Sequence, residues 1–500
     1  MSNAWVVAAC LALVPAAGVA EDGVREEQAG EEAPDLWDTF VYERPAPTYR
    51  LRLAIEEVAI LGVTLVGYSI QDPAPPEPGV PRTSAWDKVR FAPGSWYLDS
   101  DPLSLNFARH PFVGTLYYMF ARGNRVSVAE AFLWTVGSST VWELIEYKEP
   151  ASVNDAIVTP VAGAAVGEAF TQLSGWFDRA GGNGLYEAFA WIFNPVKKVH
   201  DWMDGAEVRH VPHQLGWHEF RSDASAGLLW QGGRIYPTLG VDLATRLFRA
   251  PGYGEAGGTG FGFADGNVSA IAITATWAST RSVDFLFDTE TALVGHYARD
   301  LRTEGGGLSG WDLFVGGTVA YEFGSHVWDV AGNGPANQVA MVRFPGVDAR
   351  LRIFAGALEL DVSLDAAFDF AGVEPIGPPG PLQPGQELPP VYRLQGYYYA
   401  PGLHLAPAVE ARYGPAALGL SLRADWFWGL TGPFVPTPGG PVISLSDSRS
   451  TAAAWIRYRL ERPSLELAVR GAYRERRGVA TGQVTAFSEA SLLGSFGVVF

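Results

Sequence analysis

The chain is 500 residues long, too long for one small core, so two structural units are expected. Charged residues make up 18% and aromatics 13%, with 17 Trp and 58 Gly, which suits a β-rich membrane protein and also fits a large secreted β protein. A formal charge of −18 argues against a nucleic-acid partner, because phosphate binding needs a basic surface.

Residues 4–20 form an apolar run that ends in small residues, with Gly18 and Ala20 placed for cleavage before Glu21. That reads as a secretory signal peptide over 1–20, although Met1-Ser2-Asn3 lacks the usual Lys or Arg. Val7-Ala8-Ala9-Cys10 imitates a lipoprotein box, but too little apolar sequence precedes it. Cys10 is the only cysteine, so a processed chain would hold no disulfide and no Cys-ligated metal. An acidic spacer follows over 21–45 and is expected to be disordered.

A helical domain is expected over 46–215. Leu51 to Ile70 has apolar residues at helical spacing, interrupted by Glu56-Glu57, and a Pro-rich stretch (73–81) and a Trp-rich connector come next. Asn106–Arg122, Val126–Tyr147, Ala156–Asp178 and Leu185–Met203 read as four further helices, with Ser127 and Glu130 spaced as a capping box. Polar residues fall inside these apolar runs, namely Glu56, Glu57, Ser138, Ser139 and Glu168. A true spanning helix would lodge in the inner membrane and could not accompany a barrel outward. The expectation is therefore a compact helical domain.

From Ser222 the apolar period changes from 3.6 to 2. In Leu358–Phe370, Leu358, Leu360, Val362, Leu364, Phe368 and Phe370 alternate with Glu359, Asp361, Ser363, Asp365 and Asp369. Leu418–Trp428, Ala452–Leu460 and Leu465–Tyr473 alternate likewise. Alternation alone also fits a soluble sandwich. Long strands favour a barrel, as do tight turns near Gly356, Gly414 and Pro463 that alternate with long connections at 372–391 and 431–447. A middling connection is expected near Arg476. The last strand turns Leu492, Gly494, Phe496, Val498 and Phe500 to one side, resembling the C-terminal signal read by the barrel-assembly machinery. The fold expected is an N-terminal helical domain followed, over 222–500, by an antiparallel transmembrane β-barrel of roughly twelve strands, with ten or fourteen as alternatives.

The densest polar pattern spans 106–168. It holds Asn106-x3-His110-Pro111, then Ser139-x3-Glu143-x2-Glu146, then Asn154-Asp155, and ends at Gly163-x3-Gly167-Glu168. Ser139, Glu143 and Glu146 share one helix face, as do Asn106 and His110, and Gly163 and Gly167 admit another backbone. One reading is a buried acid–base site with His110, Glu143, Glu146 and Asp155 as its catalytic groups. A related reading makes His110, Glu143 and Glu146 ligands for a divalent metal ion. The other is a satisfied polar network, including Asn106, Ser139, Asn154 and Glu168, that locks helix packing. His210-x2-His213 is a weaker metal candidate. His200, His210, His213 and His218 are all expected at a solvated junction, and Gly258-x-Gly260-x-Gly262 reads as strand glycine. Asp361, Asp365, Arg423, Arg457 and Arg470 face inward on their strands, where they can line a pore.

The Asn-x3-His-Pro, Trp142-Glu143-x2-Glu146 and Ser152-x-Asn154-Asp155 elements together resemble the bacterial envelope family known as domain of unknown function 3943, over about 85–205. A fainter likeness to VanZ-like proteins lies in the order His, Glu, Asp, although Thr159 stands where that pattern prefers Asn. The first resemblance implies a Gram-negative envelope location and no particular activity. The expected function is thus an outer-membrane barrel of structural or transport class, with outer-membrane lipid as partner and a helical domain in the periplasm or plugging the lumen. The alternative is an envelope enzyme or metal-binding protein acting on lipid or cell-wall material.

Overall fold

The computed structural model describes residues 40–44, 46–70, 83–181, 184–211, 217–249, 253–264, 268–279, 281–332, 336–377, 382, 386–430, 443–460 and 464–499. The leader, most of the acidic spacer, the Pro-rich stretch, His213, Pro463, most of 431–447 and Phe500 lie outside the described residues. The chain divides into two compact units. One holds residues up to Asp99 and Ala108–Leu215; the other holds Ser100–Phe107 with Gly216–Phe500.

The helical unit contains α1 (Arg50–Ile70), α2 (Ala85–Val89), α3 (His110–Gly123), α4 (Val128–Ile145), α5 (Val153–Ala180), α6 (Gly184–Phe193) and α7 (Pro195–Asp204). α5 is the central helix, buried along most of its length. It meets α3 where Gly114 and Gly163 face each other, so closely that a Cβ on either would strike the other helix's backbone. That is the close approach expected of Gly163, and Gly167 makes a similar seat for Tyr118. The helix expected over Leu185–Met203 is instead two. Pro195 lacks an N–H and disfavours helical geometry before it, while the Asn194 side chain accepts from the Lys197 N–H (2.9 Å) to start α7. A capping box within the Trp-rich connector starts α2, where Ser84 and Asp87 cap each other reciprocally. Ser127 caps Glu130 as expected, but the Glu130 carboxylate goes to Arg50 (2.8 Å) rather than back to the cap. A two-residue parallel pair, β1 (Trp96–Tyr97) with β2 (Ala151–Ser152), ties the start of α5 to the segment before Asp99.

The second unit is a closed antiparallel barrel. Its strands are β3 (Trp217–Gln231), β4 (Arg234–Phe248), β5 (Gly258–Ala264), β6 (Val268–Ala278), β7 (Arg281–Glu304), β8 (Gly307–His326), β9 (Asn337–Gly356), β10 (Leu358–Val373), β11 (Tyr398–Tyr413), β12 (Ala416–Trp428), β13 (Leu445–Leu460), β14 (Leu465–Ala480) and β15 (Gln483–Val499). β5 and β6 pair in succession along β7 and fill one position, so the ring has twelve. β7–β8 and β15–β3 pairing closes the ring, with the short β5 paired to β7 alone. The glycines at 258, 260 and 262 lie in strand β5.

The faces are inverted relative to a soluble protein. Leu418, Ile456, Val469 and Phe496 are 50–61% exposed on the outer side, whereas Asp312, Glu322 and Arg476 inside are at most 1% exposed. One rim carries the tight turns at Gly305-Gly306, Ala357 and Gly414-Pro415, together with the start of β3 and the end of β15. The other carries the long connections after β10 and β12. The connection expected near Arg476 is displaced. β14 runs on to Ala480, and the turn is the tight pair Thr481-Gly482.

Ser100–Phe107 forms a strap on this barrel; its last residues open a π-helical segment (Leu105–Arg109) that runs directly into α3, so the helix expected from Asn106 does begin there. A Cβ at Gly372 would meet Leu103 and Phe107, and Gly372 shares the outward side of β10 with Leu364 and Phe368. Asn106 donates to the hydroxyls of Tyr397 (3.0 Å) and Tyr399 (2.5 Å). Tyr397 donates to the Asp101 carbonyl (2.7 Å), and Tyr321 to that of Phe107. These phenols sit near the long-connection rim, where lipid could not satisfy them; the strap does.

Candidate functional site: a buried acid cluster and a closed lumen

Within the helical unit, Asp99 is the hub of a buried network. Its carboxylate accepts from Ser152 Oγ (2.7 Å) and Asn154 Nδ2 (2.9 Å), and its N–H donates to Asn154 Oδ1 (3.1 Å). Asn154 also donates to Asp155 Oδ1 (2.9 Å), whose other oxygen lies 3.4 Å from His110 Nε2. Ser139 Oγ donates to the Asp155 carbonyl (3.3 Å). Glu143 accepts from the Ser152 N–H (2.6 Å), so α4 and the start of α5 are joined through one carboxylate. Lys88 of α2, fully buried, donates to the carbonyls of Glu143 (2.7 Å) and Glu146, capping the end of α4 with a cation.

Burial sets the protonation here. Glu146 is pushed up to about 9 by burial and then by the neighbouring Glu143 and Glu149, with Lys88 opposing. Glu149 is raised by burial and by Asp99, while burial lowers Lys88 against the pull of three glutamates. Burial also lowers His110, against Asp99. Burial thus favours the neutral imidazole at His110, 3.4 Å from an Asp155 oxygen, and the protonated acid at Glu146. Such a network can hold or pass a proton.

Of the site residues expected from sequence, His110, Glu143, Asp155, Asn154 and Ser139 come together, with Glu146 at the same helix end. Asn106 does not join them, being held by the barrel tyrosines. Glu168 belongs to a separate buried group, accepting from Arg122 (2.8 Å) and Tyr118 (2.9 Å). Among the described residues, no three His, Cys, Asp or Glu side chains are arranged to hold a metal ion. Asp99, Lys88 and Glu149 were missed, and the Ser84–Asp87 capping pair was the one local signal that a helix carries Lys88. His200 is not solvated as expected: it is 2% exposed and lies 3.0 Å from the buried Glu56. His210 stays exposed, its ring nitrogen 2.9 Å from the Asp178 carbonyl.

The barrel lumen is crossed by ion pairs. Arg474 on β14 meets Asp284 on β7 (2.8 Å), and His326 on β8 meets Glu489 on β15 (3.1 Å); both span five of the twelve ring positions. Glu322 on β8 receives Arg343 from β9 and Arg423 from β12 (2.7 Å). His404 joins Asp365 (3.1 Å) to Asp425 (2.6 Å). Nearer the long-connection rim, inward Val339, Met341, Val373, Tyr398, Phe427 and Leu445 make an apolar layer inside the ring. Toward the short-turn rim the lumen opens into a cavity of about 690 Å³ lined by charged residues that include Glu219, Arg246, Arg350, Asp361 and Arg457. Of the inward residues named from sequence, Asp361 and Arg457 line this cavity, Arg423 reaches across the lumen to Glu322, and Asp365 pairs with His404 on the neighbouring strand.

A closed ring, lipid-side leucines and an ionic interior define an outer-membrane-type β-barrel with an N-terminal helical unit. Within it, residues 95–196 match the family described as Domain of unknown function (DUF3943), the family that the Asn-His-Pro and Trp-Glu-x2-Glu elements resembled. No curated protein matches the chain. Solved structures similar to it include the NanC porin (10% identity, TM-score 0.25, covering 56% of this chain and 98% of that one). The translocator domain of autotransporter NalP from Neisseria meningitidis (10%, 0.20, 56% and 87%) and OmpT of Vibrio cholerae (8%, 0.21, 57% and 97%) are others. At such identities and scores they add nothing to the barrel that the strand pairing already defines.

Proposed function

We propose that this chain is a transport-class outer-membrane barrel in a closed state, with a charged chamber that admits a polar solute from the short-turn rim. The observation that carries this reading is the set of ion pairs reaching across the lumen between strands five positions apart, stacked beneath an apolar layer. A purely structural barrel has no need of a chamber. A constitutive pore would not be laced shut. β15, which closes the ring against β3, is the strand offered to the assembly machinery.

Planar-bilayer recording tests the proposal. The parent protein is expected to stay closed, and Arg474→Ala combined with Tyr398→Ala, which loosens both barriers, to conduct. A steadily open parent, or a double variant that assembles yet never conducts, would overturn it. A second reading, an envelope enzyme, rests on His110 at Asp155 together with the raised acid Glu146 at the end of α4. Under it, His110→Ala with Glu143→Gln abolishes an activity while the barrel still assembles; under a packing role the same pair lowers thermal stability and barrel yield instead.

A further inference from the structure

Two helices of the first unit, α1 and α4, expose apolar faces and bury polar groups. Beyond Arg50 at its start, the exposed face of α1 is Leu51, Ile55, Val58, Gly62, Val66, Ser69 and Ile70, which carries no charge, and Val58 and Ile70 are 70% and 80% exposed. The buried side of the same helix holds Glu56 and Glu57 among Leu53, Ile60 and Leu61. Glu56 is taken by Asn124 (2.6 Å) and His200, and Glu57 by Ser138 (2.8 Å). α4 repeats the pattern: Leu133, Gly137 and Val141 face out, while Thr135, Ser138, Ser139 and Glu143 face in. A helix facing water shows the reverse. The pattern matches that of the barrel wall, where leucines face lipid and ions face inward.

The course of the chain supplies an independent argument. Phe107, the last residue of the strap, lies on the outward wall toward the long-connection rim, whereas Trp217 starts β3 at the short-turn rim. The two barrel-unit residues that flank the helical unit in the chain, Phe107 and Trp217, therefore lie toward opposite rims. α1 and α5 are both long and apolar enough to cross, at about 30 and 42 Å.

We infer that the helical unit is embedded in outer-membrane lipid, with the outer faces of α1 and α4 against acyl chains. The buried polar residues explain how such helices escape retention in the inner membrane. Glu56, Glu57, Asp155 and Glu168 interrupt each apolar run in the unfolded chain and are hidden only once the unit folds.

The test uses the full chain with Cys10→Ser and one new cysteine, Val58→Cys or Leu133→Cys, carrying a bimane label. Glu304→Cys, exposed at the end of β7, is the reference. Each protein is reconstituted into phosphatidylethanolamine/phosphatidylglycerol vesicles, and heat-modified gel mobility confirms that the barrel has formed. A nitroxide on the lipid acyl chain is expected to quench the label at 58 and 133 several-fold more than at 304, and aqueous iodide to do the opposite. Iodide quenching at 58 and 133 equal to that at 304 would overturn the inference. So would a label that neither quencher reaches, since protein would then cover the face.

Discussion

Gly114→Ala is the sharpest test of how the helical unit is built. A Cβ at this position lies 1.9 Å from the Thr159 carbonyl oxygen and 3.1 Å from Gly163 Cα. An ordinary carbon–oxygen contact needs about 3.3 Å, so α3 and α5 would have to part by about 1.4 Å. The obstacle is backbone, which cannot rotate away, and α3 and α5 form the most extensive helix–helix contact in the unit. Overpacking of this kind costs about 3 kcal/mol, at the upper end of its usual range. Gly137→Ala is the counterpart: on α4 nothing lies within 4 Å of the new Cβ, and helix propensity alone should stabilise by about 0.5–1 kcal/mol. Far-UV circular dichroism of the detergent-solubilised chain follows the helical melt, and heat-modified mobility follows the barrel separately. The expected order of helical melting is Gly114→Ala below parent, and parent at or below Gly137→Ala. A Gly114→Ala protein that melts with the parent would refute the close crossing and the polar cluster built on it.

Two further outcomes follow from the buried charges. Because Glu146 is raised from 4.5 to about 9 in the folded chain, its contribution is intact in acid and is lost as pH rises through that window, by up to about 1.4 kcal/mol per pH unit. Helical melting temperature should therefore fall between pH 5 and 8, and Glu146→Gln should flatten the profile; an unchanged slope in the variant would count against the assignment. Glu168→Ala should destabilise by about 3–5 kcal/mol, since it leaves Arg122 buried without its carboxylate. A loss below about 1 kcal/mol, read from denaturant midpoints, would mean that water reaches Arg122.

The barrel was legible because its physics is local. Alternation in Leu358–Phe370 or Leu465–Tyr473 puts every second side chain on one face whatever the partner strand. The boundaries of α6 and α7 were less so: Asn194-Pro195 was the available signal, and the apolar spacing on either side masked it. The candidate site was half legible. His110, Glu143 and Asp155 stand out by type and spacing, but Asp99 and Lys88 join them only through the β1–β2 pair and α2. Asn106 and His110, four residues apart, part company because the strap gives Asn106 two phenols to bond. Spacing cannot foresee that.

By itself the amino-acid order determined periodicity, and with it a ring of strands carrying grease outward and ions inward, preceded by helices. Tertiary structure decided which ions meet. Arg474 and Asp284, or His326 and Glu489, are far apart along the chain and on strands five positions apart around the ring. Only closing the sheet on itself brings them within bonding distance, because the curvature that makes a lumen is a property of the whole ring and of no single strand.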